Sequence, residues 1–159
     1  MSKSEDKTNV MRLLDQKKIP YTPRRYEADG AVSGVEVARM LSLNEKQVFK
    51  TLVTRGKSEQ YYVFVIPVAE ELDLKKAAKA VGEKSVAMIL SKELLPMTGY
   101  IHGGCSPIGM KKFFRTTIHE TAADFGTIIF SGGRIGYQVE MKPEDLRKII
   151  RFEYADVIV

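Results

Sequence analysis

The sequence predicts an α+β domain: a mixed, largely antiparallel sheet with helices packed around it. Three observations carry this. Apolar residues at helical spacing alternate with strand-length apolar runs along all 159 residues, with no linker, repeat or low-complexity segment to divide them, so 1–159 reads as a single domain. The runs Val48–Thr54 and Tyr61–Ile66 are separated only by the polar turn Arg55–Gln60, which marks an antiparallel hairpin. The helical patterns are too irregularly placed between strands for a doubly wound sheet, so hairpins dominate the order.

Each element has a local reason. Val10, Leu13, Leu14 and Lys17 mark one face of an opening helix. Ile19–Tyr26 reads as extended because Pro20 and Pro23 oppose a helix. Ser33-x-x-Glu36 is a capping-box signature ahead of Val35, Ala38 and Leu41, and Asn44-x-x-Gln47 repeats it before the strand Val48–Thr54. Asp73 caps a helix over Leu74–Val81 that Gly82 closes. Val86–Leu90 reads as a short strand and Ser91–Leu95 as a single helical turn. Phe113–His119 and Thr127–Phe130 read as strands around a turn at Glu120–Gly126. Ser131–Gly136 (SGGRIG) turns the chain into a strand, Tyr137–Met141, with Gln138 and Glu140 on one face and Tyr137, Val139 and Met141 on the other. Pro143 opens a helix through Ile150, and Phe152–Val159 closes the chain as a strand.

Composition narrows the function. Apolar residues make up 44% and charged residues 28%, the balance of a soluble globular domain. No apolar run approaches the ~20 residues of a membrane span. The N-terminal MSKSEDKTNV lacks the apolar core of a secretory signal, and a single cysteine rules out an internal disulfide framework; both point to the cytoplasm. The net charge of +5 is compatible with nucleic acid. The basic clusters Lys17–Lys18, Arg24–Arg25, Lys75–Lys76–Lys79 and Lys111–Lys112–Arg115 read first as solvated faces. A phosphate-lined cleft fits this charge better than a sequence-reading surface.

The stretch Thr98–Lys112, TGYIHGGCSPIGMKK, is the most specific signal. It packs four glycines, a proline and a terminal lysine pair into a segment of no regular periodicity. Glycine lets backbone N–H groups approach a ligand closely, so the loop suits an anion or a developing oxyanion. Lys50 interrupts the apolar run Val48–Val53, so its ammonium either reaches solvent or sits in a cleft beside an anion. Cys105 follows His102 by three residues, but no orienting carboxylate is identifiable, and Cys105 reads as a small side chain filling a tight loop. His102, Cys105 and His119 lack a zinc spacing, so no metal is expected. Ser106 is not in a G-x-S-x-G elbow, and neither a Walker loop nor a dinucleotide fingerprint occurs. Arg134 either faces the Lys50 cleft or caps a hairpin, with the hairpin favoured.

Four segments together resemble the YbaK family of aminoacyl-tRNA deacylases, relatives of the editing domain of bacterial prolyl-tRNA synthetases. They are Val48–Leu52, Pro67–Ala69 through Leu72–Lys76, the TGYIHGGCSPIGMKK loop, and Ser131–Gly133 through Glu140. The resemblance implies a partly barrel-like sheet, no cofactor, and trans-editing: hydrolysis of the ester joining a wrong amino acid to the 3′ end of a tRNA. In this branch the implied substrate is cysteinyl-tRNA(Pro), or cysteinyl-tRNA(Cys), with alanyl-tRNA(Pro) and other small residues cleared by sister branches. The family's lysine maps onto Lys50 and its G-x-x-x-P pattern onto Gly103–Pro107, so Lys50, Gly103, Gly104 and Ser106 are the implied catalytic set. Tyr26, Cys105, Pro107, Gly132, Gly133 and Gln138 are the implied substrate contacts. The chain departs from the branch at Gln138, where the branch places an aspartate. Loop N–H groups would hold the oxyanion, Lys50 the terminal phosphate or ribose, and the substrate's own thiol would attack its carbonyl. The implied partners are the 3′ end of aminoacylated tRNA and prolyl-tRNA synthetase. Two other classes stay open at this point: a non-catalytic module that holds a tRNA or nucleotide, and a hydrolase using Cys105 with His102.

Overall fold

Thr8 starts the first helix by turning its buried hydroxyl to accept the Met11 N–H at 3.3 Å. The computed structural model describes residues 7–159; residues 1–6 of the polar N-terminal stretch, and the reading of that stretch as lacking a signal, lie outside it. Helix α1 (Asn9–Gln16) buries Val10, Met11 and Leu14, while Lys17 is exposed. The extended segment holds strand β1 (Thr22–Arg25), whose Pro23 is tolerated because the strand lies at a sheet edge. Helix α2 (Gly34–Met40) is capped by the Ser33 hydroxyl, which accepts the Glu36 N–H at 3.2 Å. Glu36 bonds Arg39 within the helix, and the buried pair is Val37 and Ala38.

The expected hairpin forms from β2 (Phe49–Gly56) and β3 (Tyr61–Pro67), in antiparallel register with Lys50 opposite Ile66. Strand β3 is apolar throughout because both of its faces are covered. Val63 and Val65 enter the main core, while Tyr62, Phe64 and Ile66 pack beneath helix α3 (Leu74–Val81). Asp73 caps α3 by accepting the N–H groups of Lys75 and Lys76, both at 3.0 Å, and Gly82 ends it at φ +76°.

Strand β4 (Val86–Met88) is followed by α4 (Ser91–Thr98), longer than the single turn expected there and continuing past Pro96. Glu93 secures its start through the Leu90 N–H, and the Thr98 hydroxyl and Gly99 N–H bond the carbonyls of Leu94 and Leu95 at its end. The proline therefore removes one helical hydrogen bond while both ends stay tied. Strands β5 (Arg115–His119), β6 (Ile128–Ser131), β7 (Tyr137–Met141) and β8 (Phe152–Ala155) complete the sheets. Phe113 is left outside β5, largely exposed. Pro143–Lys148 is a 3₁₀ helix rather than the α-helix expected through Ile150; buried Leu146 pins its last turn, and the Ile149 N–H closes on the Leu146 carbonyl. After β8 the chain stays extended, with Ile158 bridging Leu72.

Instead of one sheet there are two. β1, β7 and β6 form an antiparallel sheet in the order β1-β7-β6, and the other five strands form a mixed sheet in the order β4-β2-β3-β5-β8. The contacts of β5 with β3 and with β8 are parallel. The sheets meet where Val48 bridges Ile129 of edge strand β6 in parallel, while among the described residues β1 pairs with neither β4 nor β8, so the curl does not close into a barrel. A polar staple reinforces the seam. Glu140 takes the Arg24 guanidinium, 2.8 Å from its Nε, and the Thr127 hydroxyl, while the Gln47 amide donates to the Thr127 carbonyl at 2.7 Å.

Burial pushes the Glu140 carboxyl up, but the hydrogen bonds from Thr127 and Arg24 outweigh it and hold it below its ordinary 4.5. A carboxyl depressed in the folded state contributes stability above its ordinary value and loses it as pH falls through the folded one. Glu140→Ala is expected to lower unfolding stability by about 2 kcal/mol at neutral pH, measured by denaturant melts. That difference should shrink as the pH is taken below 4.5.

Candidate active site

A cleft of about 320 Å³ opens where the two sheets and the glycine-rich loop converge. The start of β2 supplies Lys50 and Thr51, the residue after β1 supplies Tyr26, and the ends of β6 and β7 supply Ser131 and Gln138. The loop supplies His102, Gly103 and Cys105, and the segment capping α2 supplies Ser33 and Gly34.

Phe49 goes into the core, so the next residue of β2, Lys50, is turned to the cleft wall. The lysine is half-buried and, among the described residues, its ammonium has no hydrogen-bond or ion-pair partner. Burial lowers its pKa, and the fields of Glu71 and Glu70 oppose that shift. A desolvated cation without a partner is stabilised by an anionic ligand.

The loop is fixed by contact with SGGRIG. A Cβ on Gly104 would stand 3.2 Å from the Arg134 Cα and the Ile135 nitrogen, so a larger residue would push the two backbones apart by a few tenths of an ångström. Gly103 lies at φ +89°, and a Cβ there would fall 2.8 Å from the Ala31 Cβ. The Gly104 N–H is committed to the Ile101 carbonyl at 2.9 Å, so it is not available to an oxyanion as the sequence suggested. Among the described residues the N–H groups of Gly103, Cys105 and Ser106 donate to no protein acceptor.

Several expected contacts lie behind the lining. Ser106 is fully buried, its hydroxyl accepting the Ile108 N–H at 3.3 Å, and Pro107 is buried beside it. Neither side chain lines the cleft. Gly132 and Gly133 are turn residues, donating to the Tyr137 carbonyl at 2.8 Å and the Ser131 hydroxyl at 3.1 Å. A Cβ on Gly133 would meet Val10 of α1 at 3.0 Å, so that glycine is turned toward α1 and does not line this cleft. Arg134 stacks on the Tyr137 ring, 4.6 Å from its centre, and belongs to the hairpin.

The polar cleft residues are under-satisfied. Gln138 is 5% exposed and its Oε1 has no partner among the described residues; the same holds for the buried Thr51 Oγ1. Buried polar atoms are nearly always paired, so two orphans in one cleft mark positions for a ligand's polar groups. Ser131 pairs directly opposite Gln138. Sequence reasoning missed Thr51 and Ser131. Both adjoin residues it had singled out, Lys50 and Gly132, and that adjacency was the only signal available.

Cys105 and His102 do not form a nucleophile pair. Burial pushes the Cys105 thiol up to about 12, so it is neutral at working pH, and His102 is exposed. His119 does not line the cleft, and its Nδ1 accepts the Val157 N–H at 3.3 Å. Burial lowers its pKa while nearby Asp156 opposes the shift. Among the described residues no three His, Cys, Asp or Glu side chains gather as metal ligands, and no helix is long and apolar enough to cross a membrane.

Comparison with known proteins adds sequence and fold relatives. The aminoacyl-tRNA editing domain family matches residues 29–149. A protein of Enterococcus faecalis named as a candidate Cys-tRNA(Pro)/Cys-tRNA(Cys) deacylase, EbsC, is 44% identical over 158 residues, covering 98% of this chain and 95% of that one. A crystal structure described as a candidate trans-editing enzyme for prolyl-tRNA synthetase superposes with a TM-score of 0.81 at 22% identity, covering 94% of each chain. Another, of the hypothetical protein APE2540, gives 0.83 at 20% identity over 96% of this chain and all of the other. At such identities these two likenesses speak for the fold.

The buried, protonated thiol predicts that Cys105 in the native protein resists iodoacetamide at pH 8 and reacts once the chain is unfolded. Rapid native alkylation, followed by mass spectrometry, would contradict the burial described.

Proposed function

The chain belongs to the aminoacyl-tRNA editing domain family, and we propose that it is a trans-editing deacylase whose substrate is the cysteinyl ester of tRNA(Pro). The observation that carries this reading is the partnerless, half-buried Lys50 facing a cleft that also holds the orphaned Gln138 and Thr51 oxygens. The 44% identity to EbsC supports a cysteinyl rather than an alanyl ester. Such a ligand offers what the cleft lacks: phosphate or ribose oxygens for Lys50 and hydrogen-bond donors, such as the α-amino group, for Gln138 and Thr51.

An aminoacyl ester is already activated, so orientation and oxyanion stabilisation supply most of what hydrolysis needs. Lys50 anchors the terminal adenosine, and the unengaged N–H groups of Gly103 and Cys105 receive the carbonyl oxygen as it becomes negative. The substrate's sulfur attacks its own carbonyl carbon and the ester C–O bond breaks. The thiol proton passes to the departing ribose oxygen, and water then opens the thiolactone to free cysteine. No enzyme nucleophile takes part, which agrees with a Cys105 thiol held neutral. A cleft of about 320 Å³ takes the 3′ end alone, so tRNA identity is read elsewhere, by prolyl-tRNA synthetase in the cytoplasm.

The test is deacylation of cysteinyl-tRNA(Pro) and alanyl-tRNA(Pro), side by side. Wild type should release cysteine faster than alanine, and Lys50→Ala should slow it by about a hundredfold with an unchanged melting curve. Full activity in Lys50→Ala would remove the anchoring role, and preference for alanine would reassign the substrate. Turnover of neither ester would favour a binding module. Cys105→Ala should keep most of the rate. Because burial lowers the Lys50 pKa, the rate should fall on the alkaline side below 10.5, and that limb should be missing in Lys50→Ala. For the synthetase, capture of a ternary complex with charged tRNA is expected; its absence would remove that partner.

A further inference from the structure

A second cleft, of about 450 Å³, shares both glycine loops with the first: Gly99, Tyr100 and Gly109 come from one, Gly133 and Arg134 from the other. Its rim carries Lys7, Arg12, Lys111 and Arg134, and none of its lining residues is acidic. Asp15 pairs with Lys7 from outside the lining. Lys111 is exposed, lies along Gly99, and has no partner among the described residues.

The positive charge continues from there toward the catalytic cleft. The Arg134 guanidinium sits 4.6 Å from the centre of the Tyr137 ring and that of Arg25 4.2 Å from the same ring. Stacking holds both cations in place, and a stacked guanidinium such as that of Arg134 presents its N–H edge rather than its face to an acceptor. Arg25 precedes Tyr26, which lines the catalytic cleft. The cations thus form a track that starts beside Tyr26 of the catalytic cleft, runs past Arg25 and Arg134 around Tyr137, and reaches Lys111, with Arg12 on the same rim. A single small anion would occupy one position of such a track, whereas a phosphodiester chain presents charges in succession.

We propose that this track binds the RNA backbone adjoining the 3′ end held in the catalytic cleft; the identity of the RNA rests on the deacylase reading. The contacts are to phosphates, so they position the substrate without reading its sequence.

Binding of an uncharged RNA minihelix ending in CCA, followed by fluorescence anisotropy, tests this without any turnover. For Lys111→Ala/Arg134→Ala, affinity at about 50 mM salt should fall about tenfold, and the slope of log affinity against log salt should lessen by about 2. Lys111→Arg should bind as wild type, as should Lys84→Ala, an exposed lysine outside both clefts. Unchanged affinity and slope in the double variant would overturn the proposal, as would equally strong competition from millimolar inorganic phosphate, the mark of a free-anion site. Hydrolysis of cysteinyl-adenosine should be unaffected by the double substitution; an equal loss there would mean a deformed catalytic cleft and would also overturn it. A wild type that hydrolyses no ester yet shows the charge-dependent RNA binding would sink the deacylase reading and leave the track standing.

Discussion

The site depends on the approach of two backbones: the glycine-rich loop at Gly104 against the SGGRIG turn at Arg134 and Ile135. A Cβ on Gly104 would come within 3.2 Å of that turn, so any side chain there would shift the loop, and the close contact sets its height and tilt. Everything that makes the cleft follows. Gly103 and Cys105 line the cleft, while Ser106, Pro107 and Ile108 are packed behind. The turn is held in its own right by the Gly132, Gly133 and Tyr137 N–H groups, so the loop rests on a fixed partner.

That fixed loop suits the proposed reaction, in which the protein does little covalent work. Preorganised donors cost no reorganisation when charge develops, and a desolvated lysine has more to gain from an anion than a solvated one. The same burial that readies Lys50 keeps the Cys105 thiol neutral, so one environment favours anchoring and disfavours nucleophilic attack. Gln138 fits this picture. An uncharged amide can be buried without a partner at less cost than a carboxylate, and it still offers an oxygen to a donor.

The seam between the sheets carries a different kind of constraint. Val48 and Ile129 bridge just before Lys50, and the Gln47–Thr127–Glu140–Arg24 staple ties the same region to β7 and β1. Lys50 of one sheet and Gln138 of the other are therefore held across one cleft by contacts that contain neither. Glu140, two residues from Gln138, belongs to the staple, so adjacent same-face residues of β7 divide structural and ligand-facing work.

Much of this is local and was legible in the residues. The Ser33 and Asp73 caps, the β2–β3 hairpin and the special character of the loop each depend on near neighbours in the chain, where backbone geometry and side-chain chemistry act directly. Lys50 and the anion-binding character of the loop were legible in the residues, and the four family segments added the substrate class and the role expected of Lys50. What the sequence could not assign was which polar atoms would be left without partners, because pairing is settled by residues far apart. The Gly104 N–H is lost to Ile101, Gly133 turns to α1, and α4 passes Pro96 because both its ends are tied. Thr51, Ser131 and the basic track emerge only when two sheets and two loops converge. The sequence by itself determined most of the secondary elements and their caps, since these follow from local propensity and residue type. Tertiary structure alone decided which side chains share a cleft, since burial and hydrogen-bond competition depend on the whole packed chain.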